Sequence, residues 1–377
     1  MILKYPSSYK NFKCIAGACP DSCCAGWEVV VDEVAKARFE AVNSPFGERL
    51  RAAMTIDAEG DTIFKNTDNH CPFLNAQNLC DIHIQLGPEY LCETCDLYPR
   101  YFVNYGPFTE QGLSFSCPEA LRMLLADNAS GTFVTETLAQ ALPQTLKMGL
   151  SARNLLMTLF SQSSFSAEAR LLLALDYGMA FSALFWQTDE GALKALNARY
   201  KTVDFLKARL RDLINIKKDV SVKLETTIFR VLLACEHQAT DFSELLFHSA
   251  EKFPEITRTD YDAYLKAESQ NSHYFKTLAL YYLHRYFLTD AEAGEALISL
   301  QLLALTWTAQ RILLFLRWQA QKKILTLKDY VNTFYHYSRE IEHSLPNMDA
   351  LYEALMTEAD LSPTAFKSYL AGQCPAI

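Results

Sequence analysis

From Pro118 onward, apolar residues recur at helical spacing. Leu155, Leu156, Leu159 and Phe160 share one face, as do Phe205, Leu206, Leu210, Leu213 and Ile214, which is the three-and-four rhythm of a half-buried helix. Thr259-x-x-Asp262, Thr289-x-x-Glu292 and Thr326-x-x-Asp329 mark helix starts, since hydroxyl and carboxylate at that spacing satisfy each other's backbone N–H groups. Ser362-Pro363 places a capping side chain before a proline at the first helical position, where the missing N–H costs nothing. Roughly ten helices with short polar connections account for this stretch. The chain before it is loop-rich. Residues 28–31 and 62–64 predict short strands, residues 34–41 a short helix, and residues 43–47 and 57–61 turns. The pattern predicts a mainly α protein: a small, loop-rich, cysteine-rich N-terminal domain (residues 1–125) with a few short strands, then an all-α domain (residues 126–377). The change of pattern near residues 120–130 alone sets that boundary, and 377 residues suffice for two domains.

The longest apolar stretch, residues 299–318, is interrupted by Gln301, Gln310, Arg311 and Arg317. It predicts a buried helix rather than a membrane span, with peripheral membrane contact as the competing reading. Net charge is -9 and no run of five basic residues occurs, which argues against nucleic acid as partner. The opening residues, MILKYPSSYKNFKC, lack the apolar segment of a secretory signal. A cytoplasmic protein with reduced thiols is the expectation.

That expectation gives the cysteines their meaning. Nine of the eleven fall within the first 117 residues: Cys14, Cys19, Cys23 and Cys24, then Cys71 and Cys80, Cys92 and Cys95, and Cys117. In a reducing compartment such a density favours metal over disulfides. Cys19, Cys71 and Cys117 each precede a proline, which suits a first helical position. Cys19 and Cys117 are therefore expected at helix N-termini, where the dipole lowers a thiol pKa, and Cys19 and Cys23 on one helical face. Adjacent side chains diverge, so Cys23 and Cys24 serve two centres or one of them is a packed residue. Zinc and iron-sulfur both accept thiolate shells, and the spacing leaves both open. His70 and His83 stand as substitute ligands or as polar neighbours.

Other chemistry lacks its signature. There is no G-x-G, hence no dinucleotide-binding loop, and no P-loop, C-x3-C-x2-C, H-E-x-x-H or G-x-S-x-G. Tyr98, Arg100, Tyr101, Tyr105 and Phe108, with Trp27, form an aromatic and basic set that reads either as a cradle for a cation or an adenine or as core beside the metal site.

FKCIAGACPDSCCAGWEVVVD, HCPFLNAQNLCDIHIQLGPEYLCETCDLYPR and SFSCPEALRMLL, within the first 125 residues, together resemble the flagellin lysine-N-methylase family. More distantly they resemble a group of cysteine-rich zinc- or iron-chelating proteins. The resemblance implies an S-adenosylmethionine-dependent enzyme that methylates lysine ε-amino groups of flagellin and needs a 4Fe-4S cluster. By position it implies Cys14, Cys19, Cys23, Cys24, Cys71, Cys80, Cys95 and Cys117 as metal ligands and sets Cys92 aside. It identifies neither a catalytic residue nor the cofactor pocket. Glu93, Asp96 and Glu119 lie near the cysteines as proton acceptors or as plain charges. An oligomer is compatible with all of this. The competing reading is a non-catalytic zinc- or iron-binding protein whose helical domain docks a partner.

Overall fold

The computed structural model describes residues 3–126, 133–135, 142–187, 189–215, 223–321 and 323–374. Two compact units emerge. One comprises Asn11–Tyr101 and Leu113–Leu121; the other comprises Met1–Lys10, Phe102–Gly112 and Arg122–Ile377. Of the stretch where the pattern changes, residues 127–130 lie outside the described ones.

In the helical unit the core is organised on one helix, Ala296–Ala320, long and apolar enough to cross a membrane but buried within the fold. The polar residues that interrupt it explain why it stays inside. Arg311 pairs with Glu168 at 2.6 Å and lies 3.8 Å from the ring centre of Phe275. Gln301 donates to the Leu361 carbonyl at 2.9 Å, and Thr308 bonds back to the Ala304 carbonyl at 2.8 Å. A buried polar group costs little once it is bonded. Helices Ala167–Phe185, Leu327–Tyr337 and Leu345–Thr357 pack around it. A small sheet completes the unit, with Leu3–Pro6 parallel to Thr109–Leu113 and antiparallel to Phe133–Thr135.

Helix starts follow the local chemistry, with two corrections. Thr326 and Asp329 form the expected capping box, and the Ser362 hydroxyl accepts from Ala365 N ahead of helix Pro363–Gln373. The next helix expected at Thr259 starts earlier: Thr257 caps Arg258–Ala267, accepting from Asp260 N at 3.1 Å. Thr257-x-x-Asp260 is an overlapping copy of the same pattern, and Asp262 pairs instead with Arg258 at 2.9 Å. Thr289 caps nothing, because a π-helical turn, Leu283–Phe287, runs straight into helix Leu288–Glu292. From Pro118 onward there are fourteen α-helices among the described residues, more than expected.

The cysteine-rich unit holds a three-stranded antiparallel sheet ordered Val29–Val30, Thr62–Phe64, Met54–Ile56. The Asp57 carboxylate accepts from Glu59 N and Asp61 N, and Gly60 takes φ +94° where a side chain would be strained. Asp32 caps helix Glu33–Glu40. The turn expected at residues 43–47 is instead a helix start, since Ser44 caps Pro45–Ala53 with proline at its first position. Phe39, Leu50, Phe64, Phe73 and Ile82 form a small core, with the Phe64 and Phe73 rings 4.8 Å apart. A core of this size is the kind that a metal centre reinforces.

Candidate metal centre

Local backbone pairing gathers thiols that are distant in sequence. Cys71 N donates to the Cys24 carbonyl at 2.7 Å and Gly26 N to the Asn69 carbonyl at 2.9 Å. This short ladder ties the loop after Cys23 to the one containing Cys71. Asp81 N then closes onto the Phe73 carbonyl at 2.8 Å, turning the chain so that Cys80 returns towards Cys71. Cys92 and Cys95 flank the start of helix Glu93–Leu97, whose Glu93 N–H is held by Asp32 at 2.8 Å.

Cys117 takes the expected place: its sulfur accepts from Ala120 N at 3.5 Å at the mouth of helix Pro118–Ala126. Cys19 does not. It ends a short 3-10 turn, Ala16–Ala18, and residues 19–24 form bends and turns. Proline fixes φ at residue 20 but nothing continues a helix there, so Cys19 and Cys23 share no helical face.

None of the eleven cysteines is joined in a disulfide. Mutual repulsion between their ionised forms maps their neighbourhoods. Cys19 is raised by burial and by Cys14 and Cys23; Cys117 is pushed up to about 12 by burial, with Cys19 and Cys23 contributing. On the other side burial pushes Cys71 up to about 12, helped by Cys95, Cys80 and Cys23. Cys80 is raised by burial and then by Cys95. Cys95 is held far up by its bond to Cys92, then by burial and by Cys23. Two groups thus overlap at Cys23. Cys24, its neighbour, packs with Trp27 against the core of the unit. The lowering expected at the Cys117 helix terminus is present, from Ala120 and Glu119 N–H groups, but burial outweighs it.

As protonated thiols these side chains do not close on a point: among the described residues no three His, Cys, Asp or Glu side chains stand where one metal ion would be held. A single tetrahedral ion needs its sulfurs roughly 3.8 Å apart, whereas a polynuclear cluster spreads its thiolates because each binds a different iron. Thiols grouped in this way, Cys71, Cys92 and Cys117 buried and Cys14 and Cys23 exposed, have the donor chemistry of a thiolate-bound centre. Cys92, set aside in the sequence, sits against Cys95.

The other sequence candidates separate. His70 Nδ1 lies 2.6 Å from the Asp68 carbonyl in its own turn, and His83 is exposed on helix Asp81–Leu86. Glu93 and Asp96 are exposed and Glu119 half-buried. The aromatic set divides between the two units. Trp27 meets Tyr98 at 5.6 Å, and Arg100 lies over Phe12. Tyr105 and Phe108 belong to the helical unit's core with Leu146 and Leu288. No periodicity announces the helical unit's own titrating groups, Glu225 and Asp290, which burial pushes up to about 7.

Fold and thiols define a mainly helical protein with a cysteine-rich unit suited to thiolate ligation. Residues 153–366, more than half the chain, match the FliB lysine N-methylase C-terminal domain, and the chain belongs to that family. It is 26% identical to a lysine-N-methylase of Salmonella choleraesuis (strain SC-B67) over 237 residues, covering 58% of this chain and 57% of the relative. A lysine-N-methylase of Salmonella typhimurium (strain LT2) is 25% identical over the same shares. The flagellar biosynthetic protein FliU of Salmonella muenchen is 27% identical over 134 residues, 32% of this chain and 76% of that protein. The match thus spans little more than half the length of the two lysine-N-methylases. No solved structure matches.

Proposed function

We propose that this chain is an S-adenosylmethionine-dependent protein-lysine N-methyltransferase acting on flagellin, with a 4Fe-4S cluster held by thiolates of the cysteine-rich unit. The carrying observation is membership of the lysine N-methylase family, and the flagellar name of one relative supports the substrate. The two thiol groups that meet at Cys23 supply the ligands. When bound, the cluster supplies redox-active iron or, in a polar transfer, a structural brace for the cysteine-rich unit. A polar transfer needs the lysine amine neutral, so a group must accept its proton near neutral pH. Asp290, at about 7 and bonded by the Tyr352 hydroxyl at 3.1 Å, has that affinity. Cysteines without disulfides agree with a cytoplasmic location.

The test is purification without oxygen, analysis of iron and sulfide per chain, and mass spectrometry of flagellin incubated with protein and S-adenosylmethionine. A brown protein that adds methyl groups to lysine supports the assignment. A colourless zinc protein that leaves both flagellin and cofactor unchanged refutes it and leaves a non-catalytic metal-binding role.

A further inference from the structure

Within the helical unit, helices Ala167–Phe185, Glu190–Tyr200, Val203–Ile214 and Pro363–Gln373 line a half-open cavity of about 590 Å³, within the usual range for small-molecule sites. Asp176 lies at its floor, 4% exposed. One carboxylate oxygen accepts from the Tyr200 hydroxyl and from Arg209 Nε, each at 2.6 Å. The other accepts from Arg209 Nη2 at 2.8 Å and Lys367 Nζ at 2.6 Å. A carboxylate has about four acceptor positions, so Asp176 has none left for a ligand.

The donors are not used up. Beyond Asp176, Arg209 bonds only Tyr200 among the described residues, and the remaining reach of Lys367 ends on Met179 Sδ at 3.7 Å. Arg199, exposed at the rim, has no acid partner among the described residues; its guanidinium lies 4.7 Å from the Phe205 ring centre. Three cations therefore face two acids, Asp176 and Asp212. An excess of positive charge in a cavity of a chain with net charge -9 is not what an ion pair made only for stability requires. The Arg199–Phe205 stack adds a flat surface on which a ring can lie.

We infer that this cavity binds a small organic anion with a flat aromatic body, its carboxylate or phosphate received by Arg199, Arg209 and Lys367. Resting on the function proposed above, the occupant is the adenosyl amino acid methyl donor, held by its carboxylate. An adenine nucleotide would offer the same chemistry through its phosphate.

Calorimetric titration of the full-length, anaerobically purified protein with S-adenosylhomocysteine, AMP and adenosine separates these sources. S-adenosylhomocysteine should bind, and adenosine, lacking the anion, at least about tenfold more weakly. Arg199→Gln, a change at the rim, should weaken S-adenosylhomocysteine by about tenfold. Asp212→Asn should tighten it by about two- to threefold, a gain that a merely structural role would not give. If S-adenosylhomocysteine binds but ignores both substitutions, the donor lies elsewhere and the inference fails while the proposed function stands. If AMP binds and follows both substitutions while S-adenosylhomocysteine does not bind, the anion site stands and its assignment to the methyl donor is overturned. Binding of neither ligand to folded protein overturns the site.

Discussion

Glu225 gives the most direct test of how burial acts in the helical unit. It sits on helix Lys223–Ala234, 6% exposed, with Oε2 lacking any hydrogen-bond partner. Burial pushes its carboxyl up to about 7, although bonds from its own backbone N–H and Tyr369 pull the other way. In the unfolded chain a glutamate titrates near 4.3, roughly 2.5 pH units lower, which corresponds to about 3 kcal/mol. The sign follows from proton counts. Between about pH 4.5 and 7 the folded state holds a proton that the unfolded state has lost, so stability falls as pH rises through that window and levels off above it. Glu225→Gln keeps the shape and cannot ionise. At pH 8 the variant should be the more stable by up to about 3 kcal/mol, and at pH 4 the two should agree within about 0.5 kcal/mol. Urea unfolding of both proteins at intervals from pH 4 to 8 measures this directly, because slopes from all other groups cancel in the difference. Parallel pH curves would show that burial leaves the Glu225 carboxyl unshifted, and a variant that is weaker at pH 8 would show that it is charged and paired in the folded protein.

Two further outcomes follow. Arg153 and Glu110, both without solvent exposure, are joined at 2.6 Å, with His284 Nε2 3.7 Å from the carboxylate; Arg153→Met strands that charge and should cost about 3–5 kcal/mol, largely restored by adding Glu110→Gln. A loss below about 1 kcal/mol in thermal unfolding would contradict this. In the cysteine-rich unit, Cys23→Ser removes the thiol both groups share, whereas Cys24→Ser removes one packed against the core. Iron per chain should therefore fall sharply in the first and little in the second; equal losses would mean that both thiols bind.

What could be read from the sequence was what the chain settles locally. Thr326-x-x-Asp329 and Ser362-Pro363 cap helices because each motif contains all the groups it satisfies. Thr259 misled because Thr257 begins an equivalent box two residues earlier, and only packing chooses between them. Cys117-Pro118 and Cys19-Pro20 look alike, yet only the first is followed by an apolar helical run, Ala120, Leu121, Leu124 and Leu125, that the fold can bury. The cysteines marked their region by density. Their grouping depends on Cys71 closing on Cys24 through backbone bonds that no spacing encodes.

The cavity on Asp176 shows the same limit from the other side. Arg209 and Lys367 lie 33 and 191 positions away from Asp176, and no local pattern joins them. Yet one trace was present. In LLLALDYGMAF a single acid interrupts a stretch of helix whose neighbouring positions are nearly all buried. An unpaired carboxylate there would cost several kcal/mol, so the position requires partners without saying which. The same reasoning applies to Glu168, whose partner, Arg311, lies 143 positions on within the central helix. A charge inside an apolar run is thus a demand that the fold must meet. Where it is met once, as at Glu168, the result is stability. At Asp176 two cations and a tyrosine answer one carboxylate, and the surplus faces a cavity, which is the arrangement expected when a ligand supplies the remaining negative charge.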